Sequence, residues 1–204
     1  MSKRMLERFS FSERSIHWMS AISFLYAALT GLSMWSTKLF WLASVFGGGV
    51  ATRMSHPWAG SVFAAFLGVM FLRWARQMRL SADDREWLAQ SRKYAMNIEE
   101  GLPEAGRFNG GQKMLFWLQS ISALVLFASG LVLWYPESAL RGLRLAAVLV
   151  HPAAAIASIG GIIVHVYMGT AAVPGALRAM VRGQVTEGWA AAHHPKWLKE
   201  TSKR

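Results

Sequence analysis

Four histidines, His17, His56, His151 and His165, lie in stretches of the chain that carry no Asp, Glu, Lys or Arg. Neutral imidazole is the commonest metal ligand among side chains. The chain has no cysteine, which excludes iron–sulfur clusters, c-type haem attachment and disulfides within it and leaves histidine as the main candidate for soft-metal or haem ligation. His151 and His165 share the stretch Leu145–Val173, LAAVLVHPAAAIASIGGIIVHVYMGTAAV. Fourteen residues of helix put them about 21 Å apart and within about 40° of one face. Ionisable groups inside membrane segments are rare and point to function by default. Two on one face, at opposite depths, suggest a helix that supplies a ligand to each of two stacked centres.

The elements that must position these histidines follow from hydropathy. With 53% hydrophobic and 16% charged residues and a mean hydropathy of +0.27, this is not the composition of an ordinary soluble domain. The windows Ser15–Thr37, Met54–Leu72, Met114–Pro136 and Leu145–Leu177 are free of charged residues and near or above the roughly 20 residues a spanning helix needs. They predict an all-α membrane protein, a four-transmembrane-helix bundle in a single domain over 1–204. Its spans are approximately 15–37, 54–73, 114–136 and 150–173, with a connection at 74–113 and a tail at 174–204. The apolar segment LFWLASVFGGGVAT between Lys38 and Arg53 is too short to span and contains a glycine triplet, so it reads as a loop in the membrane interface. The N-terminus resembles a signal peptide, but the apolar segment behind it is too long and has no clear small-residue cleavage site, so it reads as a retained first span.

Net charge is +11. The apolar runs, and the places where the charges fall, make this an orientation signal rather than a nucleic-acid footprint. Of the Lys and Arg residues, 18 lie in the N-terminal tail (Lys3 to Arg14), the second-to-third connection and the C-terminal tail, against four (Lys38, Arg53, Arg141, Arg144) in the other two connections. The positive-inside rule then places both termini and the middle connection in the cytoplasm. Within that connection, ADDREWLAQSRKY reads as a short amphipathic surface helix. Trp18, Trp35, Trp41, Trp58, Trp74 and Trp134 recur near the expected interfaces as an aromatic belt does.

On this topology His17 pairs in depth with His165, towards the cytoplasm, and His56 with His151, towards the outside. Helix bundles hold cofactors between such inward side chains. Two imidazoles from facing helices suit a b-type haem, with both axial positions filled and no open site for ligand chemistry, so the expected role is electron transfer. The plainer reading is that each histidine only bonds a neighbouring helix; four that pair by depth argue against it. The pairs are too far apart for one tetrahedral zinc centre. His193 and His194, in the polar tail, read as headgroup-surface residues. His56-Pro57 and His151-Pro152 echo one another as dipeptides, and Pro57 suits the first position of helix two; Pro152 either begins helix four or bends it. Gly31, fourteen residues after His17, sits on the same face at the outer depth and either makes room for a porphyrin or packs against a helix. In Arg107-Phe108-Asn109-Gly110-Gly111-Gln112-Lys113, amides and glycine N–H groups can hydrogen-bond quinone carbonyl oxygens; the alternative is a turn in which Asn109 caps helix three. Arg53 and Arg144 lie near the outer ligands, where a cation suits a propionate.

These residues resemble the gamma (cytochrome b) subunit of membrane-bound respiratory formate dehydrogenase over nearly the whole chain. The likeness runs through His17-Trp18, His56-Pro57, Asn109-x-Gly111-Gln112-Lys113-Met114-x-Phe116-Trp117, His151, His165-x-Tyr167-Met168, Gly183-x-Val185 and Trp189 with His193-His194-Pro195. The resemblance implies a multi-pass protein of the bacterial inner membrane carrying two haem b groups, the outer held by His56 and His151 and the inner by His17 and His165. It implies reduction of a quinone, menaquinone or ubiquinone, beside Asn109, Gly111 and His165. Electrons would come from an iron–sulfur beta subunit served by a molybdenum- or tungsten-containing alpha subunit that oxidises formate. Pro152, directly after the outer ligand, departs from the pattern. The residues alone also admit a cytochrome b anchor of a hydrogenase or thiosulfate reductase, or a haem-free scaffold or transporter.

Overall fold

A computed structural model describes residues 4–96, 98 and 101–203. Lys3 and Arg204, both used in the charge tally, lie outside them. In chain order the elements are β1 (Met5–Glu7), α1 (Phe11–Trp35), a 3₁₀ turn (Thr37–Leu39), α2 (Leu42–Val45), α3 (Gly48–Trp74), α4 (Ala82–Ala89), α5 (Ser91–Ala95), α6 (Gly110–Trp134), a 3₁₀ turn (Pro136–Ser138), α7 (Arg141–Tyr167), a π turn (Met168–Ala172), α8 (Ala176–Arg182), β2 (Gln184–Thr186), α9 (Glu187–His193) and α10 (Pro195–Thr201). Helices α1, α3 and α6, and α7 with its π turn, are long and apolar enough to cross a membrane. They are the four spans predicted.

Two boundaries differ in ways that matter for the site. Helix α3 starts at Gly48, not at His56-Pro57. Gly47 and Gly48 take φ of +86° and +94°, conformations open to residues without a Cβ, and they turn the chain straight into the helix. The segment read as an interface loop therefore contributes α2 and the first turn of α3. Pro57 and Pro152 both lie inside helices, where each removes one backbone donor and frees the carbonyl four residues earlier. Neighbouring helices make such interruptions tolerable in lipid. Segment 82–95 is two short helices, because the chain breaks at Gln90, which lets Trp87 and Tyr94 meet at 4.9 Å and share a core with Ala172 and Val173.

The chain falls into two compact units, Met1–Arg14 with Arg73–Trp117 and Gly161–Arg204, and Ser15–Leu72 with Leu118–Gly160. In the first, β1 and β2 pair antiparallel with Leu6 opposite Val185. Helix α8 ends at Gly183, with φ +79°, and the Gly183 carbonyl accepts from the Arg8 and Phe9 N–H groups. A Cβ at Gly183 would lie 2.8 Å from the Phe9 carbonyl oxygen, so only glycine fits. The second unit holds α1 from Ser15 onward, α3 as far as Leu72, α6 from Leu118 and α7 as far as Gly160, with the segments that join them. There Phe24 meets Phe63 and Trp58 meets Trp134, and Gln119 and Ser158 form a buried reciprocal pair of hydrogen bonds, 3.0 and 2.6 Å, that ties α6 to α7.

Candidate cofactor site

His56 on α3 and His151 on α7 face one another in the second unit with ring centroids 6.2 Å apart and planes at 72°. Each ring is held by a hydroxyl on the long helix that precedes its own, Thr30 on α1 and Ser129 on α6. Thr30 Oγ1 lies 3.0 Å from His56 Nδ1 and donates its own proton to the Tyr26 carbonyl at 2.7 Å. It therefore accepts from Nδ1–H. Ser129 does the same for His151, 2.9 Å from Nδ1 while donating to the Val125 carbonyl at 2.6 Å. With Nδ1 protonated, the lone pair of each neutral imidazole is on Nε2, the nitrogen then offered to a metal.

Glycine clears the space beside each ring. A Cβ on Gly31 would stand 3.1 Å from His56 Cε1, and one on Gly130 would stand 3.4 Å from His151 Cε1. Both histidines, Gly31, Gly130, Pro57 and Pro152 line a largely apolar cavity of about 800 Å³, within the size range of small-molecule and cofactor sites. Arg53 also lines it.

Metal–imidazole bonds of about 2.0–2.1 Å on either side of one ion would set the two centroids about 6.4 Å apart. The observed 6.2 Å, the preset tautomers and the apolar cavity fit a haem with two axial imidazoles. His17, half-buried, lies in the same unit with its ring edge-on to Trp18 at 5.4 Å. His165 belongs to the other unit, two residues before the end of α7.

The profile of the prokaryotic cytochrome b561 family matches residues 8–183. The chain belongs to the prokaryotic cytochrome b561 family. Among its relatives in that group, the formate dehydrogenase cytochrome b556(fdo) subunit of Escherichia coli strain K12 is 37% identical over 200 residues, 96% of this chain and 93% of the relative. The nitrate-inducible formate dehydrogenase cytochrome b556(Fdn) subunit of the same organism is 34% identical over 208 residues, 100% of this chain and 95% of the relative. The formate dehydrogenase cytochrome b556 subunit of Haemophilus influenzae is 33% identical over 192 residues, 92% and 79%. A membrane cytochrome of this family takes haem b, and its four apolar helices place it in the membrane.

Asn109 and Gly111 lie at the start of α6 in the first unit. Asn109, 4% exposed, caps the helix. Gln112 N–H donates to its Oδ1 at 2.9 Å, and Asn109 N–H donates to Gln112 Oε1 at 3.0 Å. Gly110 and Gly111 let Trp87 lie against that first turn; a Cβ on Gly110 would be 2.8 Å from the Asp84 carbonyl oxygen. Lys113 reaches Asp84 Oδ2 at 2.6 Å. Burial acts to raise the Asp84 pKa, but the hydrogen bonds from Lys113 and Ser81 outweigh it and hold the carboxyl below the ordinary Asp value.

Sequence reasoning missed a second histidine cluster. His194 is 1% exposed, not a surface residue. Its Nε2 lies 2.9 Å from Arg8 Nη2 and its Nδ1 lies 2.7 Å from the Gly106 carbonyl oxygen. A guanidinium can only donate, so Nε2 accepts and Nδ1–H donates. Burial, then the Arg8 charge, push the His194 pKa well below the usual histidine value. Arg8 and Arg107 each donate to the other's carbonyl oxygen, at 2.8 and 3.0 Å, and Arg107 pairs with Glu13 at 2.8 Å. The Arg8 guanidinium lies over the rings of Trp189 and Trp197 at 5.1 Å each, a favourable cation–π environment. The signals in the sequence were the clustering of aromatics at Trp189 and Trp197 and the His-His-Pro cap of α10. Nothing in the local pattern pointed to Arg8. Thr30 and Ser129 were legible only as hydroxyl–glycine dipeptides on the span preceding each His-Pro.

Proposed function

We propose that this chain is the cytochrome b subunit of a formate dehydrogenase complex and passes electrons from an iron–sulfur beta subunit to quinone on the cytoplasmic side of the bacterial inner membrane. The observation that carries this reading is the facing pair His56 and His151 across a cofactor-sized cavity, in a chain similar over its full length to formate dehydrogenase cytochrome subunits. Haem b bound by His56 and His151 would supply a one-electron couple. His56 and His151 would be the side chains that hold it, and a haem held by two imidazoles would serve electron transfer rather than ligand chemistry. The apolar cavity wall excludes water, and Arg53 is placed to neutralise a propionate.

The second haem belongs with His17 and His165, on the depth argument and the family likeness. Quinone is assigned to Asn109, Gly111 and His165. An Asn109 amide whose Oδ1 is committed to Gln112 has its NH₂ group to direct at a quinone carbonyl oxygen. The relatives are named as subunits of formate dehydrogenases, which supports other subunits as partners; the family resemblance makes these a beta subunit delivering electrons and, through it, an alpha subunit with molybdenum or tungsten that oxidises formate. Positive-inside counting supports both termini in the cytoplasm, so protons for quinone reduction enter from that side.

The test is a reduced-minus-oxidised spectrum and a haem-to-chain ratio on the purified complex. A b-type band and a ratio of two are expected. His56→Leu or His151→Leu should remove one haem, and His165→Leu the other together with quinone reduction. A chain with no haem band sinks the reading. Purification with hydrogenase or thiosulfate reductase subunits would reassign the partner.

A further inference from the structure

The two axial histidines share a construction that haem binding as such does not demand. Thr30-Gly31 on α1 seats His56-Pro57 on α3, and Ser129-Gly130 on α6 seats His151-Pro152 on α7. In each seat the hydroxyl donates to its own helix and accepts Nδ1–H, while the glycine backbone lies against Cε1. Thr30 is fully buried and Ser129 is 8% exposed. A hydroxyl in a membrane helix is satisfied by its own helix carbonyl alone; here both hydroxyls have a second bond, and it goes to the histidine. A ring fixed at Nδ1 and flanked at Cε1 has little freedom about its χ2 torsion. The 72° between the planes is therefore set by two separate helix pairs.

We propose that Thr30 and Ser129 are positioning residues for the cofactor of this cavity, each holding one imidazole through Nδ1–H so that both Nε2 atoms address one iron with crossed ring planes. This rests on the haem reading above. Two consequences are measurable without turnover. Crossed axial imidazoles give low-spin ferric haem a strongly anisotropic EPR signal at low field, whereas parallel rings give an ordinary rhombic one. An acceptor on Nδ1–H makes the imidazole a stronger donor, which favours ferric iron, so its removal raises the midpoint potential.

The experiment uses the purified full complex, with EPR, potentiometric titration and haem-to-chain ratio for Thr30→Val, Thr30→Ser, Ser129→Ala and His56→Leu. Thr30→Val and Ser129→Ala are each expected to shift the low-field signal and raise the potential of the haem that His56→Leu removes. Thr30→Ser should restore both. If Thr30→Val loses that haem while the other persists, retention in Thr30→Ser supports the proposal, and loss in Thr30→Ser as well overturns it, since size rather than the hydroxyl would then matter. Unchanged signal and potential in Thr30→Val and Ser129→Ala also overturn it, with the haem reading intact so long as His56→Leu lowers the haem ratio. If His56→Leu leaves that ratio unchanged, the haem assignment itself fails and this proposal with it.

Discussion

His194 shows how one buried side chain can set the pH response of a protein whose function lies elsewhere. Its native pKa is well below 6.5, because burial and Arg8 oppose the charged form, while in the unfolded chain it titrates near 6.5. Between those values the unfolded state binds the extra proton and the native state does not. Stability therefore rises with pH through that window and levels off above it. Thermal unfolding of the detergent-solubilised chain should occur at lower temperature at pH 5 than at pH 7.5. In His194→Ala that difference should shrink, and loss of the acceptor for buried Arg8 should cost about 1–3 kcal/mol at neutral pH. At the cofactor site the residue-scale contrast is between two glycines. Gly31→Ala places a Cβ 3.1 Å from His56 Cε1, tighter than the 3.4 Å that Gly130→Ala produces at His151. Haem retention should fall further in the first variant, as measured by absorbance per chain.

At the scale of elements, helix starts and stops account for the differences between expectation and structure. Hydropathy locates a span by its apolar run, but α3 begins inside the glycine triplet, because positive φ at Gly47 and Gly48 turns the chain sooner than the apolar run ends. His56 thereby sits nine residues into a helix, where its backbone is fixed on both sides, and not at a fraying first turn. Helix α6 starts at a tight joint with α4, where Asp84 closes its own capping box with Ser81 and takes a partly buried ion pair from Lys113. Asp84 contributes stability present at neutral pH and lost as pH falls below about 4, because its native pKa lies below the unfolded value. Removing one partner of a buried pair strands the other's charge. Lys113→Met and Gly110→Ala are each expected to lower the unfolding temperature. Gly110→Ala should do so with no change in pH profile, since its clash is with the Asp84 backbone. A Gly110→Ala chain as stable as the parent would show that α4 and α6 can separate freely.

For the whole molecule, the proposed topology, with both termini in the cytoplasm, rests on charge asymmetry and span number. Eighteen Lys and Arg residues lie in the two termini and the second-to-third connection, against four in the other two connections, with four helices capable of spanning among the described residues. A reporter active only in the periplasm should be silent when fused after residue 203 and active when inserted in the 136–140 connection. The reverse result would invert the topology and with it the side proposed for quinone reduction. The C-terminal segment is more than a solvated tail, because β2 pairs with β1 across most of the chain's length and α9 and α10 bring Trp189, His194 and Trp197 around Arg8. Deletion of residues 184–204 should therefore expose Arg8 and the N-terminus to limited proteolysis.

From its linear pattern alone, this protein is legible as a membrane chain with four spans and four histidines in charge-free segments. Those features are one-dimensional: apolar run length and the positions of charged residues. The tertiary structure decided which hydroxyl and which glycine seat each of the outer imidazoles, that both prolines lie within helices, and that His194 is buried against Arg8. These contacts join residues 22 to 186 positions apart, and no local propensity encodes them. Thr30 and Ser129 have the same chemistry as every other hydroxyl in the spans. What distinguishes them is that packing brings a neighbouring helix's histidine within hydrogen-bond reach of each.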